Sequence, residues 1–224
     1  MRTTIALNNV PVKVCGMHAG VSVGPDGATH QALEDVGLMR MLPNMVVVVP
    51  ADAEEARKAT YAAACNGKPT YLRFAREKSP LLTTKETPFE IGKGYTMWES
   101  DTPQVAIVGA GPLLFEALKA AQALEAKGVR VQVINMHTIK PLDTDMLYQV
   151  ASSVKGIVTV EEHQVAGGLG SAVAEFLSEH HPVPIEMVAV RDRFGQSGTM
   201  PELYKEYGLD QSAIEAAVQR VLKR

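Results

Sequence analysis

The chain has 224 residues, 46% of them hydrophobic and 21% charged, a balance that excludes disordered and fibrous classes. Its formal net charge of −3, with Lys and Arg scattered along the sequence, leaves no basic face for nucleic acid. No apolar run approaches the roughly 20 residues of a membrane helix, and "MRTTIALNN" lacks the apolar core and cleavage site of an export signal, so no membrane partner and a cytoplasmic location are expected.

The first third predicts strands at "VPVKVCGM", "MVVVVP" and "PTYLRFA", separated by helical patterns at "HQALEDVGLMRML" and "ADAEEARKATYAAACNG". The opening "MRTTIAL" carries no helix-starting signal. The second helix has Asp52 at a plausible N-cap, Glu55 three residues later and Gly67 as a stop. Cys15 and Cys65 lie in apolar segments without a paired motif and are expected to be reduced and buried. Near-continuous apolar strands such as "MVVVV" predict a parallel sheet covered on both faces.

The run "REKSPLLTTKETPFEIGKGYTMWESDTP", irregular with three prolines and mixed charge, resembles a linker, placed at 83–102 between two α/β units, 1–82 and 103–224. Alternation then resumes with strands at "QVAIVGAG", "VRVQVINM", "GIVTVEEH" and "PIEMVAV". Helices fall at "PLLFEALKAAQALEAKG", "DTDMLYQVASSVKG", "GGLGSAVAEFLSEHH" and "DQSAIEAAVQRVLKR". The second unit is a complete domain of ordinary size. With three strands and few helices, the first unit leaves apolar surface to be closed by another chain or by further residues.

Four motifs invite chemistry. "GAGPLL" resembles a dinucleotide fingerprint without its third glycine and reads better as a strand-to-helix turn with Pro112 at N1. "GGLGSA" offers amides to an anion, or lets a helix approach the sheet closely. Glu161, Glu162 and His163 form either an acid/base cluster or an ordinary polar strand end. His18, Asp26 and His30 have the chemistry of zinc ligands, but their spacing across a glycine-rich loop disfavours a metal. Their crowding with Gly20, Gly24 and Gly27 after a strand is what open α/β sheets use to receive a ligand.

"GMHAGVSVGPDGATHQALEDVGLMRMLPNMVVVVPADAEEARKA" and "YLRFAREKSP" resemble the later part of the pyrimidine-binding domain of transketolases. "TVEEHQVAGGLGSAVAE" and "FGQSGTMPELYKEYGLD" resemble the C-terminal domain that transketolases share with related thiamine-diphosphate enzymes. The resemblance implies an α/β fold in which a partial parallel-sheet pyrimidine-binding domain precedes a mixed-sheet, three-layer C-terminal domain. It implies transfer of a two-carbon ketol unit from a ketose phosphate to an aldose, with thiamine diphosphate supplying the electron sink. His18 and Arg76 match positions that hold the substrate phosphate, Asp26 a position that accepts from a substrate hydroxyl, and His30 a catalytic position near the reacting carbons.

The family's acidic "AEQN"-like motif, its ring-stacking aromatics and its "GDG…N" magnesium- and diphosphate-binding pattern do not occur here. The resemblance therefore implies that thiamine diphosphate and Mg2+ are held mainly by an N-terminal subunit or segment, that the chain acts in an oligomer with it, and that alone it is inactive. Pro25 replaces the glutamate of the family's "GEDG". Deoxyxylulose-phosphate synthase, the β-subunit of 2-oxo acid dehydrogenases and a noncatalytic assembly module are the competing readings.

Overall fold

A computed structural model describes residues 1–224. A π-helical turn, Arg2–Leu7, leads to β1 (Lys13–Gly16), a 3-10 turn (Val21–Asp26), α1 (Asp35–Arg40), β2 (Val46–Val48), α2 (Ala53–Cys65) and β3 (Thr70–Arg73). Next come β4 (Tyr95–Glu99), β5 (Val105–Gly109), α3 (Leu114–Ala126), β6 (Val131–Asn135), β7 (Thr138–Lys140) and α4 (Thr144–Ser153). The chain ends with β8 (Gly156–Gln164), α5 (Leu169–His180), β9 (Ile185–Val190), α6 (Met200–Tyr207) and α7 (Gln211–Leu222). No helix is long and apolar enough to cross a membrane.

The α/β class predicted from the alternating pattern is what the chain adopts, in two mixed sheets of four and five strands ordered β1-β3-β2-β7 and β4-β6-β5-β8-β9. β5 and β2 are buried throughout because helices or the other sheet cover both their faces. In the second sheet β6, β5, β8 and β9 run parallel, with α3 and α7 packed together on one side and α4 and α5 on the other. β4 closes the edge antiparallel to β6, pairing Tyr95 with Asn135 and Glu99 with Gln132. That strand lies inside the segment read as linker. Its flanking glycines and prolines hid five residues whose alternation is visible only against β6.

The first sheet differs from expectation in a more consequential way. β1, β3 and β2 are parallel as predicted, but the fourth strand is antiparallel and comes from the C-terminal half: β7 sets Lys140 against Val47 and Thr138 against Val48. The Lys140 ammonium also donates to the carbonyls of Arg40 and Leu42, at 3.0 and 2.6 Å. The two units share a core, in which Val36, Val47 and Val49 pack in one cluster with Val108, Ile134 and Leu169.

Local chemistry explains the helix ends. Asp52 accepts from the Glu55 amide at 2.8 Å, capping α2, and also from the amides of Leu82 and Thr83 at 2.6 Å. The Glu55 carboxylate turns back to the Ala51 amide (2.7 Å) and takes further bonds from Tyr95 and Asn135. Several expectations are corrected. The pattern "HQALEDVGLMRML" yields only the six-residue α1, because His30–Glu34 follow an irregular path beside Ala19. Pro112 precedes the N-cap Leu113 instead of occupying N1. Both cysteines are exposed: Cys15 points outward from edge strand β1 and Cys65 from the last turn of α2.

At the junction of the sheets His137 is fully buried, stacked on Phe89 at 4.3 Å, with Nδ1 2.9 Å from the Thr138 hydroxyl and Nε2 without a partner. Burial depresses its pKa from 6.5 to about 4. The unfolded chain thus takes up a proton at His137 at higher pH than the folded chain does, and stability is lost as pH falls from about 6.5 to about 4. A shift of this size corresponds to about 3 kcal/mol. Glu55, whose carboxyl burial raises, works in the opposite sense, losing its contribution as pH rises. Thermal unfolding followed between pH 7 and pH 4 is expected to show a clearly smaller acid loss in His137→Phe than in the parent; equal losses would contradict this account.

Candidate functional site

The carboxyl ends of β1 and β3 lie side by side, because their register pairs Gly16 with Arg73. Beyond Gly16 the backbone turns sharply: His18 takes a left-handed φ of 59°, the Ala19 amide donates to the Phe74 carbonyl at 3.1 Å, and the Gly20 amide to Ala32 at 2.9 Å. These bonds bring three loops to one edge of the first sheet. His18, Asp26, His30 and Arg76 all project from them and are all exposed.

Among the four, one direct contact forms: the Arg76 guanidinium donates to Asp26 Oδ2 at 2.5 Å, and at 3.4 Å to the Val23 carbonyl. His30 Nδ1 lies 2.9 Å from the Thr29 hydroxyl, and its amide bonds the Gly27 carbonyl at 3.0 Å. His18 joins the group through its backbone alone. A cleft of about 330 Å3 opens alongside, between the ends of β2 and β3; Ala75 and Glu77, which flank Arg76, line it, while the side chains of His18, Asp26, His30 and Arg76 do not.

Beneath these exposed groups lies a buried polar layer. The Glu162 carboxylate at the end of β8 accepts from the Ser22 amide and, at 3.1 Å, from the Ser22 hydroxyl. The Gln31 amide donates to the carbonyls of Val21 (3.1 Å), Gly24 (3.2 Å) and Gln196 (3.0 Å). Gly20, at φ 91°, has Glu162 where a side chain would go: an added Cβ would stand 2.5 Å from the carboxyl carbon. Arg73 is buried next to this layer, donating to Asp35 at 2.9 Å, to Ala32 at 3.1 Å and to the Glu162 carbonyl at 2.8 Å. Burial pushes the Asp35 carboxyl up, but Arg73 and the Tyr71 hydroxyl outweigh it and hold the group below its ordinary value. Burial raises both Glu161 and Glu162.

The other motifs resolve into structure. The amides that "GGLGSA" presents are occupied by the chain's own Glu161, which accepts from Leu169 at 2.7 Å and Gly170 at 2.8 Å. Close approach accompanies this, since a Cβ at Gly168 would stand 2.1 Å from Glu161 Oε2. His163 Nε2 accepts from the Gly37 amide at 3.2 Å while Nδ1 faces the Gln164 carbonyl at 2.8 Å, an arrangement suited to a neutral ring with its proton on Nδ1. Sequence reasoning singled out the Glu161–His163 run but missed Gln31, Gln196 and the attachment of Glu162 to Ser22. The available signal was charge in "TVEEH" on a strand otherwise apolar.

Fold and loops together define a class: a two-sheet α/β protein with a polar loop cluster at the carboxyl edge of its first sheet. Family models extend this to the sequence, "Transketolase, pyrimidine binding domain" matching residues 1–80 and "Transketolase, C-terminal domain" matching residues 94–214. The chain belongs to the transketolase family. It is 35% identical over its whole length to a Methanocaldococcus jannaschii protein named provisionally as a transketolase C-terminal section, of which it spans 70%. Over 98% of the chain it is 34% identical to human transketolase, spanning 35% of that protein. A solved structure titled "Split gene transketolase, inactive beta4 tetramer" superposes with a TM-score of 0.92 at 42% identity, covering 99% of this chain and 70% of that one.

Family membership implies dependence on thiamine diphosphate, and this chain's residues can be tested against that group. Its buried glutamates are engaged internally: Glu55 by Ala51, Tyr95 and Asn135, Glu161 by Leu169 and Gly170, Glu162 by Ser22, and Glu186 by Arg220 and Arg224. None offers a free carboxylate to an aminopyrimidine ring, and no group of three or more His, Cys, Asp or Glu side chains is arranged to hold a metal. By themselves these residues do not fit the cofactor.

Asp26 and Arg76 are each more than a third exposed, so their ion pair contributes at most about 1 kcal/mol to folding. Asp26→Ala and Arg76→Ala are each expected to unfold within about 4 °C of the parent. A much larger fall in either melting curve would make the pair a structural element instead of a binding one.

Proposed function

We propose that the chain is the C-terminal part of a thiamine-diphosphate-dependent transketolase, moving a two-carbon ketol unit between sugar phosphates when combined with an N-terminal polypeptide. The observation that carries this reading is the gathering of the His18, Asp26, His30 and Arg76 loops at one sheet edge beside an open cleft. In it, Arg76 and His18 take the substrate phosphate, a role that suits a guanidinium fork and an imidazole donor. Asp26 accepts from a sugar hydroxyl, releasing Arg76 as the phosphate enters. His30 donates to, or exchanges a proton with, the oxygens nearest the bond that breaks.

Holding thiamine diphosphate and Mg2+ falls to the N-terminal polypeptide, a division supported by the engagement of every buried glutamate described above. Partnering is supported by the unpaired outer edge of β1 and by Leu7, Val12 and Met17, which stand exposed near it. It is supported too by relatives named as subunits, such as the "6-deoxy-6-sulfo-D-fructose transketolase subunit SqwH" of a Clostridium strain, 35% identical over 99% of this chain, which spans 68% of it. A second reading, as part of a deoxyxylulose-phosphate synthase, has the support of 37% identity to the Syntrophus aciditrophicus "1-deoxy-D-xylulose-5-phosphate synthase", over a third of that enzyme's length.

Mixing the purified chain with an N-terminal transketolase polypeptide, thiamine diphosphate and Mg2+ is expected to produce ketol transfer from a ketose phosphate that neither chain gives alone. Pyruvate as the sole effective donor would favour the synthase, and no turnover from two folded chains would contradict both readings. In the active mixture Arg76→Ala is expected to raise KM for phosphorylated donors about 10- to 100-fold, the worth of a charged hydrogen bond, with little change in kcat. An equal loss on unphosphorylated sugars would remove the phosphate assignment.

A further inference from the structure

The loop that carries Asp26 belongs to the first unit, yet its anchors come largely from the second. The turn Val21–Asp26 holds six residues, and its kink falls at Gly24, where φ is 79°. Ser22 is 1% exposed and Glu162 is 3% exposed, so their bonds form away from water, where an unmade bond is costly. The Tyr204 hydroxyl approaches the same carboxylate at 3.5 Å from α6. On the other side of the turn, Gln31 ties the Val21 and Gly24 carbonyls to that of Gln196. Gly27 sits so close to Ser197 that an added Cβ would lie 2.6 Å from its hydroxyl.

We infer that Glu162 is a positioning residue of the substrate site: from the C-terminal domain, its carboxylate holds the Ser22 turn and thereby sets where Asp26 and Arg76 stand. The inference rests on the proposed role of those two residues in substrate binding. Glu162 itself touches no substrate, because the turn lies between it and the exposed loops. Burial raises its carboxyl, and the buried Arg73, whose guanidinium bonds the carbonyl of the same residue, works against that rise. A carboxylate here serves where a neutral apolar side chain would not, since the Ser22 amide and hydroxyl both need an acceptor.

The test combines two measurements. Hydrogen exchange by mass spectrometry on the intact chain is expected to rise about 10-fold or more across residues 20–27 in Glu162→Ala, while β5 and β8 stay protected. Glu162→Gln keeps one oxygen for the Ser22 amide and turns its own amide toward hydroxyls that accept, so its loop is expected to exchange like the parent's. In the mixture with the N-terminal polypeptide, Glu162→Ala is expected to raise the donor KM about 10-fold with kcat changed less than about 3-fold, and Glu162→Gln to restore it. Unchanged loop exchange in folded Glu162→Ala, or an unchanged KM in a mixture whose parent is active, would overturn the inference. A parent mixture without turnover would count against the transferase reading and leave the exchange result to decide the anchoring. If Glu162→Ala does not fold, Ser22→Ala removes the hydroxyl bond alone; it is expected to raise exchange of the turn about 3-fold, and no rise would overturn the inference.

Discussion

One buried guanidinium joins the parts of this molecule. Arg73 leaves the end of β3 with its charge out of water, an arrangement that persists only because Asp35 and two carbonyls surround it. The three partners come from α1, from the strand-like segment at Ala32, and from β8 in the other sheet. Removing Asp35 would leave an unpaired charge in the interior, and losing either carbonyl would leave a buried N–H without an acceptor. The relative placement of the two sheets is therefore specified by a polar contact as well as by the shared apolar cluster around Val47 and Val108.

The exchange between the two units runs in both directions. β7 and His137 come from the C-terminal half to finish the first sheet, while Val21, Leu33 and Ala51 from the first half enter the apolar cluster under α3 and α7. The exposed groups on the first sheet's edge consequently rest on residues of the second, and the C-terminal unit is part of the construction of the candidate site. This also accounts for the internal engagement of Glu55, Glu161 and Glu162. They are commitments between elements, which leaves the exposed loops to meet a ligand.

Much of this was legible in the sequence, and the reason differs by element. The parallel strands announced themselves through runs such as "MVVVV", and α2 through the pairing of Asp52 with Glu55, because burial on two faces and helix capping are local demands. β4 and β7 were not legible: each is three to five residues long, and its place depends on a partner strand distant in sequence. The cysteines misled because an apolar neighbourhood in sequence does not say which side of an edge strand a residue faces. His18, Asp26 and His30 were singled out by their crowding with glycines after a strand and, together with Arg76, by family resemblance; the structure adds the Arg76–Asp26 pair. Gln31 and the attachment of Glu162 to Ser22 escaped because what matters in them is a bond across more than a hundred residues, from Gln31 to Gln196 and from Ser22 to Glu162.

The most direct test of the central claim, that loops of the first sheet anchored from the second form a sugar-phosphate wall, is a crystal structure of the chain with its N-terminal polypeptide and a ketose phosphate. The expected result has phosphate oxygens on Arg76 and His18, Asp26 turned from the guanidinium to a sugar hydroxyl, and Ser22 still held by Glu162. A sugar phosphate seated elsewhere, with the Arg76–Asp26 pair intact, would contradict it.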